Sequence, residues 1–210
     1  MSQLRRGGSS RPARKSSRDA IGNTREENKV IAVFVDGKKT ESEYFRGWKR
    51  EIGNRGLVIN PIYINSGGNP LKAVQEMISK IGHEREFDEL WCVCDVDGAN
   101  PSAVQKADSL AKKVGAKLIL SDRCFEIWIA LHWRAISLNT ITCEREAVNL
   151  VSQYYSEYKS DNKLVPFSVL RERTEVAIKN AVWLEGQNCV NPRTMVHTLV
   201  RRILSLSEGD

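Results

Sequence analysis

The sequence predicts an α/β protein: a parallel sheet flanked by helices, with a C-terminal helical lobe. Short runs of β-branched and aromatic residues alternate with segments of helical periodicity through residue 134. The links between them are short, and an alternating chain with short links forms a parallel sheet with helices on its faces. From about residue 135 the alternation gives way to helical segments alone.

The elements follow in order. "KVIAVFV" (29–35) is short and apolar enough for a fully buried strand, and "GKKTESEYFRGWKREIG" then places Tyr44, Phe45 and Trp48 at helical spacing. The pattern repeats in "LVINPIYI" with "NPLKAVQEMISKIG", in "ELWCVCDVD" with "NPSAVQKADSLAKKVG", and in "AKLILS" with "CFEIWIALHW". Asn69-Pro70, Asn100-Pro101 and Asn191-Pro192 each put a capping residue before a proline, the signature of a helix start. Asn60-Pro61 instead interrupts a strand pattern, which makes the second strand an edge strand. With right-handed crossovers, that edge gives the sheet order 2-1-3-4. "EREAVNLVSQYYSEYK", "TEVAIKNAVWLEG" and "NPRTMVHTLVRRILSL" read as helices. The expected organisation is a basic tail over 1–28, an α/β core over 29–134 and a helical lobe over 135–210 packed on that core.

At 210 residues the chain can bury one good core with an appended lobe. No apolar stretch approaches bilayer length, and the basic N-terminus lacks the apolar segment of a secretory signal. Five cysteines, an odd count without a C-x-x-C pair, argue against a disulfide framework or a zinc site. A soluble cytoplasmic protein with reduced thiols is expected. Five of the six formal net positive charges fall in residues 1–20, from Arg5, Arg6, Arg11, Arg14, Lys15 and Arg18 against Asp19. Such a Ser/Gly/Arg-rich tail either binds RNA or DNA through its phosphates or serves as a solubilising extension.

In the order 2-1-3-4 the ligand crevice lies beyond the carboxyl ends of strands one and three. Those ends carry Asp36, and Asp95 with Asp97 in "VCDVDG". Strand residues two apart project to one side, so Asp95 and Asp97 repel each other unless a cation lies between them. Each acid alone is also ordinary turn chemistry. Together the three form an oxygen-rich set suited to Mg²⁺ or Mn²⁺, and hence to phosphodiester cleavage.

Four ordered blocks carry a family resemblance: "FVDGKKTESEYF" (34–45), "VCDVDG" (93–98), "SDRCFEIWIALHW" (121–133) and "NPRTMVHTLV" (191–200). Across about residues 29–205 the sequence resembles the RloB-like proteins, which are found beside restriction and abortive-infection loci and are assigned a Toprim-related fold. The resemblance implies a divalent-metal site made by the acid after strand one and the D-x-D after strand three. It also implies a nuclease effector of prokaryotic anti-phage defence, cutting RNA or DNA, with an ABC-type ATPase as partner. One position departs from the pattern: the family's glutamate after strand one is Asp36 here, one methylene shorter.

Further residues join the expected site. Glu126 heads a helix that is apolar nearly all round, where a solvated-face role fits poorly, so it is a candidate general base or extra ligand. Glu41 is a candidate beside the metal or a charge favouring a helix start, and Lys39 a candidate phosphate contact. His132 and His197 read as packing residues. The alternative to a nuclease is a degraded interaction subunit that binds nucleic acid or the ATPase, a reading favoured by Asp36. A glycosyltransferase D-x-D ranks third because it leaves three blocks unused. No G-x-x-x-x-G-K-[ST] motif is present, so ATP hydrolysis is not expected of this chain, and a homo-oligomer is compatible with the pattern.

Overall fold

The computed structural model describes residues 28–53, 56–81, 87–96, 98–137, 141–187 and 191–208. Asp97 and the tail residues Arg5, Arg6, Arg11, Arg14, Lys15 and Arg18 lie outside them. Four strand-helix units come first: β1 (Lys29–Val35) with α1 (Thr40–Ile52), β2 (Leu57–Tyr63) with α2 (Pro70–Lys80), β3 (Glu89–Asp95) with α3 (Pro101–Lys113), and β4 (Ala116–Asp122) with α4 (Glu126–Leu131). The helices α5 (Glu144–Ser152), α6 (Phe167–Arg171) and α7 (Thr174–Gly186), the strand β5 (Arg193–Thr194) and the helix α8 (Val196–Glu208) follow.

The sheet runs β2-β1-β3-β4-β5, with the first four strands parallel. The expected 2-1-3-4 order is therefore present, and β5 extends it antiparallel to β4. At the edge strand β2, Pro61 lies opposite Val33, where its missing N–H leaves no gap inside the sheet.

Helices on both faces bury the central strands, which is why those strands read as continuous apolar runs. Odd-numbered residues, including Val33, Val35, Trp91, Val93 and Ile119, enter a large core with α1, α4 and the C-terminal helices. Even-numbered residues, including Phe34, Cys92, Cys94, Leu118 and Leu120, enter a smaller core under α2 and α3. Side-chain parity along each strand thus decides which layer a residue meets.

Two of the three Asn-Pro signals start helices: Asn69 Oδ1 accepts from the Lys72 amide at 3.1 Å, and Asn100 Oδ1 from the Ser102 amide at 2.9 Å. The third does not. The Asn191–Pro192 peptide is cis and leads into β5, and α8 begins only at Val196. The open edge of β4 captures this stretch, pairing Ser121 with Thr194 and Asp122 with Arg193. The expected helix over 144–159 also stops early, at Ser152. There the Ser152 hydroxyl donates to the Tyr158 carbonyl at 2.5 Å, and Tyr158 turns back into the core, fully buried.

Candidate functional site

Asp36 follows β1 directly, and its carboxylate is taken up by the loop after β2. Oδ1 accepts from the Ser66 amide at 2.6 Å, while Oδ2 accepts from the Ser66 hydroxyl at 2.6 Å and the Gly68 amide at 2.8 Å. A carboxylate accepting three such bonds fixes its donors in place. Asp36 is a loop anchor at the crevice.

The next residue opens space for a different acid. A Cβ on Gly37 would sit 1.4 Å from Glu41 Oε2, so only glycine lets the Glu41 side chain fold back across the turn. Glu41 is buried in the first turn of α1. Burial is the main cause that pushes its carboxyl up to about 7, and the charges of Glu126 and Asp36 push the same way.

Asp95, at the end of β3, follows Trp91 and Val93 onto the larger-core face. Burial and the charges of Glu41, Glu126 and Asp36 hold its carboxyl well above the usual carboxylate range, and the Phe125 amide opposes the shift. Glu126 is 4% exposed at the start of α4. Its Oε1 accepts from the Tyr158 hydroxyl at 2.9 Å and lies 3.3 Å from Lys163 Nζ, which also pairs with Glu144. Burial and these acids push the Cys124 thiol up, so it stays protonated and is no nucleophile at neutral pH.

The structure thus gathers Glu41, Asp95 and Glu126 on one face of the sheet, with Asp36 adding charge from beside them. Lys39 is exposed, and its ammonium donates to the Asp161 carbonyl at 3.4 Å. His132 is a packing residue: it is wholly buried, its Nδ1 donates to the Trp128 carbonyl at 2.9 Å, and burial pushes it down to about 4. Sequence reading missed Tyr158 and Lys163. Tyr158 was absorbed into an expected helix, and Lys163 lies in a polar loop with no local sign that it folds back onto Glu126. Thr40 secures that loop by donating to the Lys163 carbonyl at 3.0 Å.

A donor set of carboxylate oxygens, two of them raised by burial and like charge, suits a hard divalent cation. Among the described residues no three His, Cys, Asp or Glu side chains are grouped as metal ligands. Asp36 is committed to its loop and Glu126 to Lys163 and Tyr158, whereas Glu41 and Asp95 are met by backbone amides, that of Glu41 itself and that of Phe125.

Fold and site define a class: a mostly parallel α/β sheet protein with buried and half-buried acids gathered beyond the carboxyl ends of its central strands. The chain belongs to the RloB-like protein family, whose model matches residues 31–203, a span that takes in all four acids. No curated protein and no solved structure matches it. No described helix is long and apolar enough to cross a membrane.

Proposed function

We propose that this chain is a Toprim-like, divalent-metal-dependent nuclease effector of a prokaryotic anti-phage system, acting in the cytoplasm on RNA or DNA phosphodiesters. The observation that supports it is the gathering of the buried Glu41 and Glu126 with the half-buried Asp95 at the crossover between β1 and β3, where desolvation and like charges raise the Glu41 and Asp95 carboxyls. Glu41 and Asp95 would hold Mg²⁺ or Mn²⁺, with Asp97 joining them on the family's D-x-D pattern. The bound ion supplies Lewis-acid stabilisation of phosphoryl oxygens. Glu126, fixed by Tyr158, holds Lys163 at the acids, where its ammonium can meet a phosphate. The basic tail adds phosphate affinity and an ABC-type ATPase gates the effector.

One observation favours a second reading, a degraded subunit that binds nucleic acid or the ATPase: both Asp36 oxygens are occupied by the loop. Thermal melting of wild type and Asp95→Asn with and without Mg²⁺ or Mn²⁺ separates the two. The nuclease reading expects a rise of several degrees in wild type, because a ligand bound only by the folded state stabilises it, and a much smaller rise in the variant. If neither protein responds to millimolar metal, the second reading stands.

A further inference from the structure

On the opposite face of the sheet, a cavity of about 450 Å³ lies against β4 and the loop that leaves β3, between α3 and β5. It exists because only α2 and α3 build the core on this face, and they leave its β4 side thinly covered. Leu118 and Leu120 are 7% and 6% exposed, whereas Phe34 and Cys92 on the same face are fully buried. Val96, Val104, Leu118, Leu120 and Met195 give the cavity apolar walls. Gln105 on α3 and Arg193 on β5 stand exposed at its mouth; of the two acids that line it, Asp108 pairs with Lys112, and the half-buried Asp122 lies opposite Arg193 where β4 meets β5.

We propose that this cavity is a base-binding slot that takes one unpaired nucleobase of a nucleic-acid strand. Apolar walls suit the faces of a flat ring, the Gln105 amide offers both a donor and an acceptor to a base edge, and the Arg193 guanidinium suits the attached phosphate. A duplex keeps its bases stacked inside, so the slot selects single strands or an extruded base. The inference rests on the nuclease reading for its substrate class and deepens it. Asp95 and Val96 are consecutive, and their side chains fall on opposite faces of the sheet: Asp95 toward the acids and Val96 into the smaller core. One strand of nucleic acid can therefore pass round the end of β3, with a phosphate at the acids and a base in the slot a few nucleotides away.

The test is binding without divalent metal, so that cleavage plays no part. Fluorescence anisotropy of the full chain would be measured with labelled single-stranded oligonucleotides and with a duplex, at salt high enough to suppress contacts from the basic tail. Val104→Trp fills the slot from a half-buried wall position, and Gln105→Trp blocks its mouth from an exposed one. Either variant, once folded, should weaken single-strand binding about tenfold or more, the order expected when the apolar burial of one base is lost, and leave duplex binding unchanged. Competition by mononucleotides that is lost in the same variants would assign the slot to a free nucleotide and support the base chemistry equally. Wild-type affinity for both ligands in both variants, or equal weakening for single strand and duplex, overturns the slot. Slot-dependent binding by a chain that never cleaves would remove the nuclease reading alone, and cleavage with an unchanged KM in Val104→Trp would remove the slot alone.

Discussion

Asp36 and Asp95 close neighbouring parallel strands, yet their carboxylates meet opposite surroundings. Asp36 accepts three hydrogen bonds from the loop after β2, while Asp95 sits among Glu41 and Glu126 and is pushed toward its protonated form. Strand parity separates them. On β1, Val33 and Val35 face the larger core, so Asp36 falls to the α2 side, within reach of free loop amides. On β3, Trp91 and Val93 face the larger core, so Asp95 lands among other acids. Two aspartates at equivalent strand ends thus become a structural anchor and a charge-strained candidate ligand.

The largest effect should come from making the same substitution at both positions. Asp36→Asn removes the charge and presents an amide N–H₂ to donors, so it should lower the urea-unfolding free energy by about 3 kcal/mol. Asp95→Asn relieves like-charge repulsion and, without metal, should leave stability unchanged or raise it by on the order of 1 kcal/mol. Destabilisation of similar size at both sites would erase the contrast.

A pH series sharpens it. The Glu41 carboxyl is raised from an ordinary 4.5 to about 7 in the folded protein. Between those values the folded chain holds a proton that the unfolded chain has released. The stabilisation is therefore full below the unfolded pKa and lost as pH rises through 7, and Asp95 is shifted in the same direction. With chelator present, stability should fall by roughly 1 kcal/mol per pH unit between about pH 5 and 7. Saturating Mg²⁺ should flatten the slope, because the cation displaces the protons from the same carboxylates and the unfolded chain has already released its own. A profile that stays flat in chelator would mean that neither burial nor like charge raises these carboxyls.

The smallest stability effect belongs to Gly37→Ala. Its methyl displaces the end of a flexible Glu41 side chain rather than backbone, so the change should stay under about 1 kcal/mol. The metal-induced rise in melting temperature should nonetheless shrink, which would show that Gly37 acts by giving Glu41 its place.

The four parallel strands were legible because buried strands must be apolar throughout, and Pro61 marked the edge that orders them. The strand β5 was not legible: two residues carry no periodicity, and they become a strand only because β4 offers them an edge. At the site, Asp95 and Glu126 could be read from charge set in apolar runs. Tyr158 and Lys163 could not, since their link to Glu126 spans a loop whose path depends on packing. The different fates of Asp36 and Asp95 were present in the alternation of side chains, but the alternation had to be followed separately along each strand.

The two-residue length of β5 bears on how this protein behaves at high concentration. Unpaired strand edges invite pairing with other chains, and β5 pairs with only Ser121 and Asp122 of β4. Lys117, farther back on β4, stands with its ammonium 4.3 Å from the centre of the Trp91 ring. Lys117 is exposed, and a second strand docking there would strip water from its charge, a cost that opposes pairing as Pro61 does at the other border of the sheet. Both borders of the sheet thus carry a feature that opposes strand pairing between molecules, a proline at one and a short clasp with a neighbouring cation at the other.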